Sequence, residues 1–219
     1  SFSFCVVSFS FFPYDTRTVD TTRATSVEVF SAPDDPAPAL TVEKPGPGLQ
    51  APADPLAFVV QAEQDGWVQV QVPVRPNGTT GWIRADGLQE ATTDLRIEVS
   101  LSWHRLKMFD GDELLLDVPV AVGADDSPTP TGTFFTTTLM QGYAQPSAYG
   151  IAAIGLSGFS EVLESFSGGP PQIAIHGTYD DAVVGTNVSN GCIRVRNADI
   201  QQLVDQLPQH LGVPVTIAP

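Results

Sequence analysis

The sequence predicts a mainly β fold in two units, with one helix near its C-terminal end. Three observations carry this. Between residues 23 and 89, short runs of alternating apolar and polar residues are separated by Pro, Gly, Asn and Asp turn signals, the pattern of a small barrel. From residue 95 onward, runs at period two recur. Only the segment from Asn197 to Leu207 carries apolar residues at helical spacing.

Taken in order, residues 1–12 are apolar and aromatic but lack an initiating Met and a basic start. They are also shorter than the ~20 apolar residues that span a bilayer, and no other stretch approaches that length. Residues 1–22 are therefore read as a tail, disordered or the remnant of an export or anchor region, with Cys5 unpaired in it. Strands are expected over 27–30, 57–60, 67–72 and 81–84, with turns at 32–38 and 44–48 and a tight hairpin turn at Asn77-Gly78. The polar run 89–94 reads as a linker, which places the boundary between a unit at 23–89 and one at 95–219. The latter opens with a strand at 95–101 whose odd-numbered residues Leu95, Ile97, Val99 and Leu101 face inward.

Asp110-Gly111 joins that region to a second hairpin arm at 114–120. Residues 139–172, rich in Gly, Ser and aromatics including Tyr143, Tyr149 and Phe159, read as a long, weakly patterned lid or substrate wall. A half-buried strand at 173–175 then delivers His176. In the helix, Asn197 is placed to cap, Asp199 suits the positive end of the dipole, and Ile200, Leu203, Val204 and Leu207 form a stripe for core packing. Residues 213–217 return as a strand.

The formal net charge of −15 excludes a nucleic-acid surface, which needs a basic face, and disfavours attraction to an anionic membrane. With only Cys5 and Cys192 there is no disulfide framework. The three histidines, His104, His176 and His210, have no cysteine or paired carboxylate at ligand spacing, and no nucleotide loop occurs, so neither metal nor cofactor is expected. His104 reads as a surface strand residue and His210 as solvated.

The chemistry is concentrated in Ile-Ala-Ile-His176-Gly177-Thr178 and Ser189-Asn190-Gly191-Cys192-Ile-Arg194. A free thiol is only a few per cent thiolate at neutral pH, so it needs a neighbouring base or positive charge to act as a nucleophile. His176 supplies the base. If 191–196 is a strand, Cys192, Arg194 and Arg196 share one face. Gly191 permits close backbone approach, so that N–H groups around Asn190, Gly191 and Cys192 can point at an oxyanion. The competing reading is a buried core histidine and an inert cysteine.

These motifs resemble the active-site signature of the L,D-transpeptidase (YkuD-like) catalytic domain, with His-Gly-Thr preceding Ser-x-Gly-Cys-Ile-Arg. The stretch Pro128-Thr129-Pro130-Thr131-Gly132-Thr133-Phe134 is similar to the family's Thr-Pro-x-Gly-x-Phe, and the resemblance covers residues 95–219. The order His then Cys separates the chain from NlpC/P60-type peptidases, which place Cys first. Residues 23–89 resemble a bacterial SH3-type domain through 65–70 and 80–84, with Trp67 and Trp82 as groove or core residues.

The resemblance implies a β-sandwich following an SH3-like barrel. It also implies a cysteine acyltransferase acting on peptidoglycan stem peptides outside the cytoplasm, as a monomer, with Cys192 as nucleophile and His176 as base. Gly177, Thr178, Ser189, Asn190 and Gly191 are then orienting or oxyanion residues, and Arg194 and Tyr149 contact substrate. Sensitivity to carbapenems and a role in cell-wall biogenesis and cell shape follow as expectations. An L,D-carboxypeptidase and a non-catalytic wall-binding protein are the alternatives.

Overall fold

A computed structural model describes residues 16–21, 25–44, 56–207 and 211–219. The strands of the N-terminal unit are β1 (Thr16–Thr21), β2 (Ser26–Val29), β3 (Leu40–Glu43), β4 (Leu56–Gln64), β5 (Trp67–Gln71), β6 (Thr80–Arg84) and β7 (Gln89–Thr93). Five of them form a sheet in the order β6-β5-β4-β1-β7. The β2–β3 hairpin joins it where the Phe30 and Trp82 backbones exchange hydrogen bonds of 2.8 Å. Phe58, Val70 and Ile83 are completely or almost completely buried between them.

Two expectations are corrected here. Residues 16–21, assigned to a tail, are an interior strand: β1 pairs with β4 on one side and with β7 on the other. Its alternation is carried by Thr and Asp rather than by aliphatic side chains, so it is weak as a hydrophobic signal, yet Thr16, Thr18, Val19, Asp20 and Thr21 are all buried. The run 89–93, assigned to a linker, is the edge strand β7, whose polar composition suits an edge. Asn77-Gly78 does lie in a turn, closed by Thr79 N–H to Pro76 C=O at 3.3 Å, but within the longer 72–79 connection between β5 and β6. Trp67 is a core residue, packed edge-on against Phe30 at 5.0 Å with the Arg84 guanidinium 4.4 Å from its ring. The N-terminal twelve residues, Cys5, residues 45–48 of the second predicted turn and His210 lie outside the described residues.

The second unit comprises β8 (Leu95–Ser100), β9 (Arg105–Asp110), β10 (Glu113–Pro119), β11 (Val122–Gly123), β12 (Gly132–Gln141), β13 (Ala152–Phe159), β14 (Gln172–His176), β15 (Asn187–Ser189), β16 (Ile193–Arg194), helix α1 (Asn197–Gln206) and β17 (Pro214–Ala218). Eight strands form one curled sheet, β10-β9-β8-β17-β12-β13-β14-β16, and β11 pairs with β15 alone. The fold is mainly β with one helix, as the patterning predicts. Ile97 and Val99 of β8 do face the core, with Leu106, Ile154, Ile175, Ile200, Leu203 and Val215.

The stretch 139–172 is not one long lid, because β13 runs through it with every residue buried. Glycine hides that strand from a hydrophobic reading. A Cβ on Gly155 would lie 2.3 Å from Thr138 Oγ1, and one on Gly158 would lie 2.6 Å from the Phe134 ring. Small residues are what let β13 press against β12 at these points. Only 142–151 and 160–171 remain as connections.

The two units are joined by more than the short step from β7 to β8. Asn77 brackets Phe159 at the end of β13: its Nδ2 donates to the carbonyl at 2.8 Å and its Oδ1 accepts from the N–H at 2.9 Å. Arg75 donates to the carbonyls of Ser160 and Leu163, and Gln71 Nε2 donates to Thr133 C=O at 2.8 Å.

Candidate active site

Strand β14 ends at His176, and the parallel pairing of β14 with β16 sets Ile175 beside Ile193 and His176 beside Arg194. In that register Cys192 continues opposite Ala174. Because side chains alternate, His176, Arg194 and Cys192 fall on one face while Ile175 and Ile193 enter the core. The predicted strand 191–196 is shorter than expected. Arg196 has left it to become the N-cap residue of α1, with Asp199 4.0 Å away, so it does not share the Cys192 face.

His176 is 3 % exposed. Its Nδ1 lies 2.6 Å from the carbonyl oxygen of Gly177. A carbonyl only accepts, so Nδ1 carries the proton and Nε2 is left with its lone pair. This carbonyl belongs to Gly177 and not to Thr178, whose expected orienting role is corrected. Thr178 instead closes its own turn, accepting from Asp180 N–H at 3.1 Å. Asp180 in turn caps the short 3-10 turn Asp181–Val183 through Ala182 N–H.

Burial of the imidazole pushes its pKa down from 6.5 to about 4, against the Gly177 hydrogen bond and with help from the Arg194 charge. Burial likewise pushes the Cys192 thiol up, while a backbone hydrogen bond from Ala174 and the positive charge of Arg194 oppose that rise. At pH 7 the resting pair is therefore neutral imidazole and neutral thiol.

The depressed histidine has a stability consequence. Between about pH 4 and 6.5 the unfolded chain binds the His176 proton and the folded chain does not, so stability falls as pH falls through that window. The loss amounts to about 3 kcal/mol once complete. Denaturant midpoints measured from pH 7 to pH 4 should show this slope in the wild type, and a shallower one in His176→Gln.

The nucleophile loop is supported from beneath. Ser189 Oγ donates to Cys192 C=O at 2.5 Å and accepts from Gly191 N–H at 3.1 Å. Gly191 N–H is thus engaged, and of the three N–H groups singled out from sequence those of Asn190 and Cys192 remain for an oxyanion. The Ser189 carbonyl accepts from Ser127 Oγ at 3.1 Å and from Ala124 N–H at 2.9 Å. Thr129 Oγ1 accepts from Gly123 N–H at 2.8 Å. These Ser127 and Thr129 contacts were not legible in the sequence, where the stretch 128–134 carried only resemblance.

Gly123 leaves no room for a side chain. A Cβ there would lie 2.3 Å from Thr129 N and 2.4 Å from Ser127 O, both backbone atoms that cannot swing aside. Gly123→Ala is expected to cost about 1–3 kcal/mol by overpacking. It should also slow Cys192 alkylation, which a paired thermal melt and iodoacetamide rate would reveal.

Tyr149 of the 142–151 connection packs edge-on against His176, with ring centroids 5.1 Å apart, and Tyr143 stacks on Tyr149 at 5.6 Å. The Tyr149 hydroxyl is held neutral by burial and by its proximity to Cys192. Arg194 bonds Ala121 through its backbone in both directions. Its Nε is buried without a hydrogen-bond partner among the described residues, and no ion pair there involves it. Asn190 is exposed. His104 is not on a strand: it sits in the turn after β8 with φ of +50°, its Nε2 2.6 Å from Asn187 Oδ1.

Asn197 does not cap its helix. Arg196 is the N-cap residue and makes no side-chain cap. Asn197 Oδ1 instead accepts from Ile151 N–H at 3.1 Å. An Asn just before an amphipathic stripe reads as a cap by default, and no sequence signal separates the two roles.

Comparison with known proteins identifies the family of the second unit. Residues 94–217 match the family model for the YkuD L,D-transpeptidase catalytic domain. The chain is 31 % identical over 125 residues to a Bacillus licheniformis protein provisionally named L,D-transpeptidase YkuD, covering 57 % of this chain and 67 % of that one. A Bacillus subtilis protein of the same provisional name is 30 % identical over 126 residues, covering 58 % and 67 %. Among solved structures, Bd1075 of Bdellovibrio bacteriovorus is 26 % identical with a TM-score of 0.44, covering 57 % of this chain and 48 % of its own. L,D-transpeptidase 3 of Mycobacterium tuberculosis, solved with a faropenem-derived adduct, is 11 % identical with a TM-score of 0.49, covering 75 % and 91 %. The chain thus spans about half the length of the Bdellovibrio protein. With more than half of its residues inside the family model, and with His176 and Cys192 within the matched segment, the chain belongs to the YkuD family of L,D-transpeptidase catalytic domains.

Proposed function

We propose that the protein is a peptidoglycan L,D-transpeptidase that works through a thioester on Cys192. The observation that carries this reading is the Nδ1 contact of His176 with Gly177 C=O, which leaves Nε2 as base on the strand face that bears Cys192. The sulfur attacks the carbonyl of the third residue of a tetrapeptide stem as His176 takes the thiol proton. The C–N bond to the terminal D-alanine breaks, and the same proton passes to the leaving amine. The side-chain amine of a neighbouring stem then attacks the thioester, forming a link between two third-position residues and regenerating the thiol. Water in place of that amine gives the L,D-carboxypeptidase product from the same intermediate.

Arg194 suits a stem carboxylate, since its Nε is buried without an acceptor. Tyr149 forms the wall beside the imidazole, and the Asn190 and Cys192 N–H groups face the oxyanion. The N-terminal unit is read as an SH3-like module, and the enzyme as a monomer acting outside the cytoplasm. Among the described residues no helix is long and apolar enough to cross a membrane.

The test is intact mass and product analysis after mixing the protein with purified tetrapeptide stems and, separately, with a carbapenem. An acyl adduct with D-alanine release is expected, and the ratio of cross-linked to hydrolysed stem separates transpeptidase from carboxypeptidase. A folded protein that forms no adduct and releases no D-alanine would be a wall-binding protein instead.

A further inference from the structure

We infer that Asn197 is a positioning residue, locking the Tyr149 connection and the Gly177 carbonyl against each other so that the catalytic imidazole is held in one tautomer and one place. Two backbone segments meet at its side chain, Gly150–Ile151 and Gly177. Gly150 is buried with φ of +61°, and a Cβ on it would fall 2.1 Å from Asn197 Oδ1 and 2.5 Å from the carbonyl carbon of Gly177. A Cβ on Gly177 would fall 2.3 Å from the same oxygen and 3.2 Å from Gly150 Cα. Two glycines are therefore in direct backbone contact, and the amide oxygen of Asn197 lies against both.

The bonds at this junction lead to the reacting groups. Asn197 Oδ1 accepts from Ile151 N–H, Gln145 Nε2 donates to Gly150 C=O at 2.6 Å, and Gly177 N–H donates to Ala152 C=O at 3.0 Å. One step from Gly150 is Tyr149, whose ring packs edge-on against the imidazole. The carbonyl of Gly177 is the acceptor that keeps the proton on Nδ1. Ile200, one helical turn from Asn197 and buried, packs under Gly177 as well, with its Cγ2 3.2 Å from that Cβ position. The first turn of α1 thereby acts as the anvil for the base, though neither residue touches a substrate. Loss of the Oδ1 acceptor would strand the Ile151 N–H and free the Gly150–Gly177 contact to shift.

The inference concerns the thiol–imidazole pair and does not depend on which acyl donor the enzyme uses, so it is tested with iodoacetamide on the whole chain. Alkylation rates of Cys192 against pH are compared in the wild type, Asn197→Ala and Asn197→Asp, with the His176 Nδ1–H resonance and Ile151 amide exchange followed by NMR. Asn197→Ala is expected to slow alkylation at pH 7 about tenfold or more, to broaden the Nδ1–H signal and to speed Ile151 exchange. Asn197→Asp keeps an acceptor oxygen in the same place and should restore Ile151 protection. Its added negative charge should raise the imidazole pKa, moving the acid limb of the profile upward.

An Asn197→Ala protein with the wild-type rate, profile and Nδ1–H signal would overturn the inference. So would an Asn197→Asp protein no better protected at Ile151 than the alanine variant. Should Asn197→Ala fail to fold, the wild type decides alone: an Ile151 amide exchanging as fast as exposed loop amides is incompatible with the bond.

Discussion

Cys192→Ala is expected to form no covalent adduct with stem peptide or carbapenem, at any time and at any pH, while keeping a wild-type melting curve. The loss is expected because that strand face carries no second thiol, hydroxyl or amine: its neighbours there are Ala174, His176 and Arg194. The fold survives because the change removes one sulfur from a partly exposed position, at a cost of about 1 kcal/mol or less. Ser189 still reaches residue 192 through its backbone carbonyl, so the loop keeps its shape. Intact mass spectrometry decides the matter. Any label from a thiol reagent in this variant must map to Cys5, the other thiol in the sequence.

His176→Ala is expected to slow acylation of Cys192 by roughly 10²–10⁴-fold, the usual contribution of a positioned general base. The resting pair is neutral, so without Nε2 the thiol proton has no acceptor and the reaction must wait for the small thiolate fraction. The rate should then rise with pH up to the thiol pKa, whereas the wild type stays active down to about pH 5, because its imidazole remains neutral until about pH 4. Stopped-flow acylation by a carbapenem across this range separates the two profiles. A wild-type rate in folded His176→Ala would remove the base assignment.

The candidate pair was legible because its chemistry is written locally. Ile173 and Ile175 alternate up to His176, and Gly191 precedes Cys192, so both the strand and the functional residue are seen in one short window. What supports the pair is spread through the chain. Ser127 reaches Ser189 across 62 positions and Asn197 reaches Ile151 across 46, and neither residue type announces a partner at such range. The strands that escaped notice share another cause. Polar β1 and β7 hold a sheet together through backbone bonds, which any composition can make, and β13 uses glycine where an aliphatic residue would have marked it. Reading Asn197 as a cap failed because tertiary contacts outbid a local preference.

The bracket that Asn77 places around Phe159 has a mechanical meaning. Phe159 pairs with Gln172, while His176 pairs with Ala153 near the opposite end of the same hairpin, so the joint between the units stands roughly 13 Å from the imidazole along β14. With Arg75 and Gln71 fastened nearby, the N-terminal unit is bolted on and not leashed. The N-terminal unit therefore stands at one set spacing from Cys192, like stock held in a jig, instead of over the spread of distances that a loose tether samples.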